Sequence, residues 1–368
     1  LGLDPEAYAA WVDWVNPVTG ESMGTPRLPG VGKQGSPRFA EMVVNAPKSL
    51  SIAAALHPEV SAVLDRAQQD AVAEIQAWLA LHSVTRVGPR GRQEVVPVQQ
   101  LQTVAVSHRT SRAGDPHRHI HFQIGTRVWA AGKWRALDTA ALFRQQGAIR
   151  ALGTAVIAAH PELAEVLDRH GLTLDPVSGE VVELERFNGV MSKRGEQVRR
   201  HLERFEAEWE AAHPGETVGP VVSARLAAKA WAYERPAKKP TTLSEEQAWA
   251  TELREAGYDP ETLRQPVRRA QVSLDDLSVQ TIANRALDRC AAGSSAWTRH
   301  TVQEHATRIM TEYGVHAAPA EIREFVRITT ALAMEDCFSI LPPGAPAPEH
   351  VAHLTSLRVV QAETELRD

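Results

Sequence analysis

The sequence is short of the residues that would commit it to several specialised classes. Only two cysteines, Cys290 and Cys337, occur in 368 residues. A disulfide scaffold and a cysteine-rich zinc cage are therefore excluded, and a reducing, cytoplasmic setting is expected. No run of 18 apolar residues exists, so no membrane span is expected. There is no Gly-x-x-x-x-Gly-Lys-Ser/Thr loop, hence no phosphate-cradling motor of that kind in this chain. Tyrosine is scarce: Tyr8 is the only one before residue 233. The chain opens on Leu1 rather than Met, with no charged-then-apolar signal segment, and reads as a fragment.

What remains is ordinary globular material: 43% apolar residues, enough for two or three domains, and a formal charge of −5. The charge is uneven. Residues 1–240 carry 28 Lys+Arg against 26 Asp+Glu, whereas 241–368 carry 12 against 19. Within 86–150, 11 basic residues face only Glu94, Asp115 and Asp138. A basic block inside an acidic chain is either a phosphate-binding face or a solvated surface balanced by neighbouring acids.

Periodicity and punctuation give the elements. A short helix near 4–14 precedes a turn-rich loop, and Phe39 to Val44 reads as a strand. Asn45-Ala46-Pro47 opens helical patterns over 47–56 and 58–82, broken at His57-Pro58. A hairpin or loop fills 83–100. Strands follow at Leu101–Arg109 and His117–Val128, then helices near 138–159 and 161–170. A hairpin pairs Leu172–Leu174 with Val181–Leu184, and a charged helix spans Lys193 to Ala212. Pro-rich breaks at 213–220 and 235–242 flank another helix. Beyond 243 the pattern is mostly helical, with a proline-rich linker at 341–348.

The sharpest feature is the stretch His108 to His121, with four imidazoles in fourteen residues. By the two-residue period of a strand, His119, His121 and Gln123 share one face, and Ile120, Phe122 and Ile124 take the other. A hairpin would bring His108 beside the pair. Three neutral imidazoles leave open positions on a metal, as Lewis-acid chemistry requires. His117 has the same parity but lies next to the turn. Imidazole suits zinc, copper, iron or nickel, while phosphate chemistry often uses magnesium or manganese. The alternative is a cluster of strand histidines that holds no ion.

Weaker signals accompany it. Lys48 and Ser49 sit at a strand-to-helix junction whose free N–H groups suit a phosphate. Glu41 is placed to accept a ligand histidine's second N–H, unless it is simply solvated. Trp134 between Lys133 and Arg135 suits base stacking with phosphate contact, or a core position. Lys193 and Arg194 start a helix, where cations oppose the dipole unless they serve an anion.

In this order, Asn45-Ala-Pro-Lys-Ser49, His108-x-Thr-Ser-Arg112-x-x-Asp115-Pro116-x-x-His119-x-His121, Lys133-Trp-Arg-Ala-Leu137 and Ser192-Lys-Arg194, the sequence resembles the relaxase domain of MobF-type conjugative relaxases, the TrwC/TraI group of HUH endonucleases. The resemblance covers roughly 38–200. It implies an α+β fold, an antiparallel palm flanked by helices and followed by a mostly helical C-terminal region. It implies His108, His119 and His121 as ligands of a divalent ion, magnesium or manganese first, with zinc or nickel as alternatives. A tyrosine then attacks the scissile phosphate, nicking and later rejoining a single DNA strand at a plasmid origin of transfer. Expected DNA contacts are Lys48, Ser49, Arg112, Trp134, Arg135, Lys193 and Arg194. Expected partners are single-stranded DNA and the conjugation machinery. The expected divisions are a relaxase domain over 1–240, an acidic helical connector over 241–345, and a linker with the start of a helicase-like domain over 346–368.

Two positions depart from the family pattern. Glu41 stands where the family usually has Asp. The family's nucleophile lies well before the Ala-Pro-Lys-Ser block, often as adjacent tyrosines, whereas Tyr8 stands alone 33 positions before Glu41 on what reads as an ordinary helix. The expectation is therefore that the attacking tyrosine lies upstream of Leu1. Two rival readings stay open: a histidine-triad nucleotide hydrolase or transferase, disfavoured by Arg118 between the histidines, and a non-catalytic DNA-binding module.

Overall fold

The computed structural model describes residues 4–237, 243–260 and 272–367. Its centre is β5 (Pro116–Ala130), a strand buried along most of its length. On one side it pairs antiparallel with β4 (Gln100–Thr110), and on the other with β1 (Phe39–Asn45). β6 (Lys133–Ala136) turns back to extend the β1 edge. The turn into β6 runs through Ala131-Gly132, both at positive φ. A small hairpin, β2 (Val84–Val87) with β3 (Glu94–Pro97), stands beside the sheet.

Alternation along β5 decides what covers each face. Ile120, Phe122 and Ile124 are buried and point to the helical side. There α2 (Lys48–Leu56) and α3 (Pro58–His82) lie against the sheet. Pro58 sits in the first turn of α3, where its missing N–H is harmless. Val60, Leu64, Ala71, Ile75 and Leu79 form the helix's buried stripe. Behind α3 comes α5 (Gln146–Ala158), after the short α4 (Thr139–Arg144), and α6 (Pro161–Arg169) completes this layer. The opposite face is covered at its far end by α1 (Pro5–Val12) and the loop after it. Trp11, Trp14 and Met23 pack there with Tyr8, Phe39, Val104 and Trp134. Gly125 permits this closeness, because a Cβ there would meet Gln102 O at 3.1 Å and the Trp11 ring at 3.4 Å.

The charged pair α7 (Lys193–Ala212) and α8 (Pro220–Ala232) has its own small core around Phe205 and Leu226. α9 (Leu243–Glu255) returns to the palm, and its Trp249 and Leu253 lie in the main core. α10 (Val279–Gly293), α11 (Arg299–Glu312) and α12 (Pro319–Glu335) form the C-terminal helical layer, with α11 packed on α5. β7 (Cys337–Ser339) and β8 (Leu354–Ser356) close the proline-rich linker into a loop, followed by α13 (Leu357–Arg367). None of the described helices is long and apolar enough to cross a membrane.

Most expected elements are present, with three corrections. The Leu172–Leu184 segment is not a hairpin of two strands: only Leu174 and Val181 bridge, and a 3-10 turn follows at Glu185–Phe187. The stretch near 138–159 is two helices, broken at Gln145. The strand Lys133–Ala136 had no alternation long enough to announce it. The expected boundary at 240/241 lies outside the described residues.

Two consequences for stability follow. Phe122 is fully buried between β5 and the helices, so Phe122→Ala should cost about 3–5 kcal/mol in denaturant unfolding. His57 caps the start of α3 with its ring stacked on His170 at 3.9 Å. Burial, reinforced by His170, pushes its pKa down to about 4. The unfolded chain therefore binds more protons than the native one between pH 6.5 and about 4, and stability falls as pH drops through that window. His57→Gln should flatten the slope of Tm against pH between those limits, and an unchanged slope would assign the loss to other groups.

Candidate metal centre and its surroundings

Register builds the site. β4 places His108 directly opposite His119, and β1 places Val43 opposite His121 and Glu41 opposite Gln123. The rings of His108, His119 and His121 form a near-equilateral triangle, with centroids 5.2, 5.0 and 5.1 Å apart. The register thus gathers three imidazoles side by side on one face of the palm.

The hydrogen bonds also set the ring protons. His119 Nδ1 lies 2.9 Å from His117 O, and His121 Nδ1 lies 2.9 Å from Glu41 Oε1. Carbonyl and carboxylate oxygens only accept, so each ring donates from Nδ1. This is the arrangement in which an outer carboxylate fixes a metal-ligating imidazole. Glu41 thus reaches His121 in spite of its extra methylene. Its second oxygen accepts from Gln123 Nε2 at 3.1 Å, and Gln123 Oε1 accepts from the Tyr8 hydroxyl at 2.9 Å. Tyr8, which by sequence reads as a helix tyrosine on an apolar face, therefore ends a chain Tyr8–Gln123–Glu41–His121. The contact arises because α1 lies against β5, with Trp11 beside Gly125. His117 stacks on His119 at 4.4 Å, and burial keeps it neutral, its pKa pushed down to about 3.

The expected DNA contacts are mostly engaged within the chain. Ser49 is fully buried: its amide and hydroxyl bond Glu180, and its oxygen accepts from the Val181 amide. A protein carboxylate thus occupies the α2 N-terminus where a phosphate was expected. Lys48 Nζ donates to Pro116 O at 2.8 Å, and burial lowers its pKa against the pull of Asp115 and Glu180. Arg194 is also buried, donating to Gln197 Oε1 and Trp231 O at 2.6 Å each. The anion that the α7 start serves is Asp115, itself wholly buried. It accepts from the Arg194 amide at 3.3 Å and lies 3.5 Å from Lys193 Nζ. Lys193 also bonds Glu252 at 2.6 Å, which together with Asp115 raises its pKa against burial.

Lys193 is exposed despite these bonds, and the remaining three are half-buried. Arg112, in the β4–β5 turn, donates to Pro236 O at 3.0 Å. Arg135 donates to Ala130 O at 2.9 Å, bracing its own turn. Trp134 is half-buried, edge-on to Trp129 at 5.6 Å. Ser49 and Arg194 are therefore structural rather than surface groups. Exposed cations of the basic block stand instead at the β2–β3 tip, Arg90 and Arg92, and at the β5–β6 tip, Lys133.

One face of the antiparallel palm thus carries three neighbouring imidazoles, one of them bonded to a carboxylate on the adjacent strand. The TrwC relaxase family model matches residues 2–256, and the chain belongs to that family. It is by class a relaxase, a site-specific DNA nickase acting by transesterification. The fold agrees with solved structures of the conjugative relaxase TrwC bound to oriT DNA. The metal-bound complex is 22% identical, with a TM-score of 0.50 over 70% of this chain and 84% of that one. The metal-free complex is 22% identical, with a TM-score of 0.51 over 71% and 85%. The complex with a 27-mer comprising the recognition hairpin and cleavage site is 23% identical, with a TM-score of 0.50 over 71% and 88%. No curated protein matches the chain.

If Glu41 fixes the His121 ring, Glu41→Ala should weaken Mn²⁺ binding by about 10–100-fold in calorimetric titration, and Glu41→Asp should recover most of it. Unchanged affinity in Glu41→Ala would remove Glu41 from the site.

Proposed function

We propose that this chain uses His108, His119 and His121 to hold one divalent cation, magnesium or manganese in kind, against the scissile phosphate of a single DNA strand at an origin of transfer. The observation that supports the reading is the 5.0–5.2 Å triangle of rings on one palm face, with His121 bonded to Glu41. The cation, when bound, supplies Lewis-acid stabilisation of charge developing on the phosphate oxygens. The chain's own residues do the rest. The β1–β5–β4 register fixes the distance between the imidazoles. Glu41 and the His117 carbonyl hold their tautomers, and Gln123 spans from Glu41 to Tyr8. The exposed cations at the hairpin tips, Arg90, Arg92 and Lys133, add the non-specific attraction that a polyanionic strand needs.

Tyr8 is assigned to positioning Gln123, since its hydroxyl donates there, two β5 positions from His121. The partners that this reading implies are oriT single-stranded DNA, a helicase domain and the conjugation machinery, in a cytoplasmic setting.

The test is a labelled single strand carrying a cognate origin sequence, incubated with the chain and Mn²⁺. Binding should survive chelation, but His119→Ala with His121→Ala should lose metal and any cleavage by at least 100-fold. A covalent adduct abolished by Tyr8→Phe would make Tyr8 the nucleophile. Strand binding without an adduct would instead support a non-catalytic DNA-binding module. Chelator-resistant hydrolysis of nucleotides, with no strand binding, would instead support the histidine-triad reading.

A further inference from the structure

A second group of metal-ligating side chains lies away from the palm face. It joins His82, the last residue of α3, to His300 in the first turn of α11 and to Glu349 in the loop closed by β7 and β8. One ligand atom from each falls within 4.8 Å of the others. Glu349 Oε2 lies 2.8 Å from His82 Nδ1 and 3.8 Å from His300 Nε2. Ligands about 2.1 Å from a tetrahedral zinc ion stand about 3.4 Å from one another, and the two observed separations bracket that value.

The surroundings are those of a built site. His300 is 1% exposed, and its Nε2 is buried with no hydrogen-bond partner. Its Nδ1 lies 3.1 Å from Gln303 Oε1, an oxygen that only accepts, so Nδ1 carries the proton and Nε2 the lone pair. That lone pair faces the Glu349 carboxylate, acceptor against acceptor. Glu349 Oε2, already bonded to His82 Nδ1, thus lies between the two rings, where one cation would be shared by all three side chains. Trp78 walls one side, its ring 4.4 Å from His82 and 5.5 Å from His300. Gln145 holds the frame, donating to His82 O at 3.0 Å and accepting from the Trp78 indole at 3.0 Å. The Glu349 side chain is 54% exposed, which leaves a fourth position for water.

The geometry points to a second divalent-cation site at His82, His300 and Glu349, of the two-histidine, one-carboxylate type that suits zinc. It clasps the proline-rich loop to α3 and α11. Two of the three ligands, His82 and His300, come from helices that both pack on α5, whereas Glu349 lies on the loop. The cation's structural effect is thus on the loop.

The experiment uses the full chain carrying His119→Ala and His121→Ala, which disables the palm triad, stripped with chelator and titrated with Zn²⁺ alone. One equivalent should still bind. Adding Glu349→Gln, at an exposed position where misfolding is not at issue, should weaken that equivalent at least tenfold, and adding His300→Ala should abolish it. With the palm histidines intact, Zn²⁺ should slow proteolytic cleavage within residues 341–352 several-fold, and Glu349→Gln should erase the protection. Loss of all Zn²⁺ binding in the palm variant, or an equivalent insensitive to Glu349→Gln, would overturn the assignment.

Discussion

The site depends on the strand register of the palm. Sliding β4 by one residue against β5 would turn His108 to the opposite face, and sliding β1 would carry Glu41 away from Gln123 and His121. What holds the register is apolar. Ile120, Phe122 and Ile124 alternate with the functional face and are buried beneath α2 and α3. A one-residue slip would expose that whole set, so burial on the helical side fixes the imidazoles on the other. Chemistry and core are read from the same fifteen-residue strand, one parity each.

A second regularity is that the chain answers its own buried charges. Glu180 sits at the α2 N-terminus, and Asp115 at the α7 N-terminus, each a carboxylate at the positive end of a helix. Arg118 is buried against Asp65 and Ser61 between β5 and α3. These contacts explain why conspicuous motif residues such as Ser49 and Arg194 are not at the surface. A motif shared across a family marks residues the fold needs as readily as residues the substrate touches. The Ala-Pro-Lys-Ser and Ser-Lys-Arg blocks serve here to tie the β4–β5 turn and the 175–181 turn to their helices.

How much of this was legible follows from the range of each signal. The helices at 48–56, 58–82 and 193–212 and the two long strands were readable because their patterns are local and long. The grouping of His119 with His121 was readable from parity, and that of His108 from a hairpin connection. The Glu41–His121 bond was legible only as an option, since nothing in a single strand fixes its partner. The Tyr8–Gln123 bond was not legible, because distance along the chain does not measure distance across a sheet. The β6 strand was missed because four residues, Lys133 to Ala136, are too short to show alternation. The His82–His300–Glu349 group was invisible, because its members are separated by 218 and 49 positions and share no motif.

The two imidazole clusters differ in a way that bears on their roles. The palm rings stand on neighbouring strands of one sheet, so the strand register alone sets their spacing. The His82 cluster draws on three elements distant in sequence, one of them a loop whose residues 342 to 353 make few backbone bonds beyond their own closure. Ordering that loop has an entropic cost, which an ion can offset only if the histidines are already in place. They are, since α3 and α11 both pack on α5. α3 is therefore the common support: its buried stripe faces the palm from behind, and its last residue is a ligand candidate of the second cluster. A perturbation along α3 would be felt at both, whereas loss of Glu349 would leave the palm register untouched.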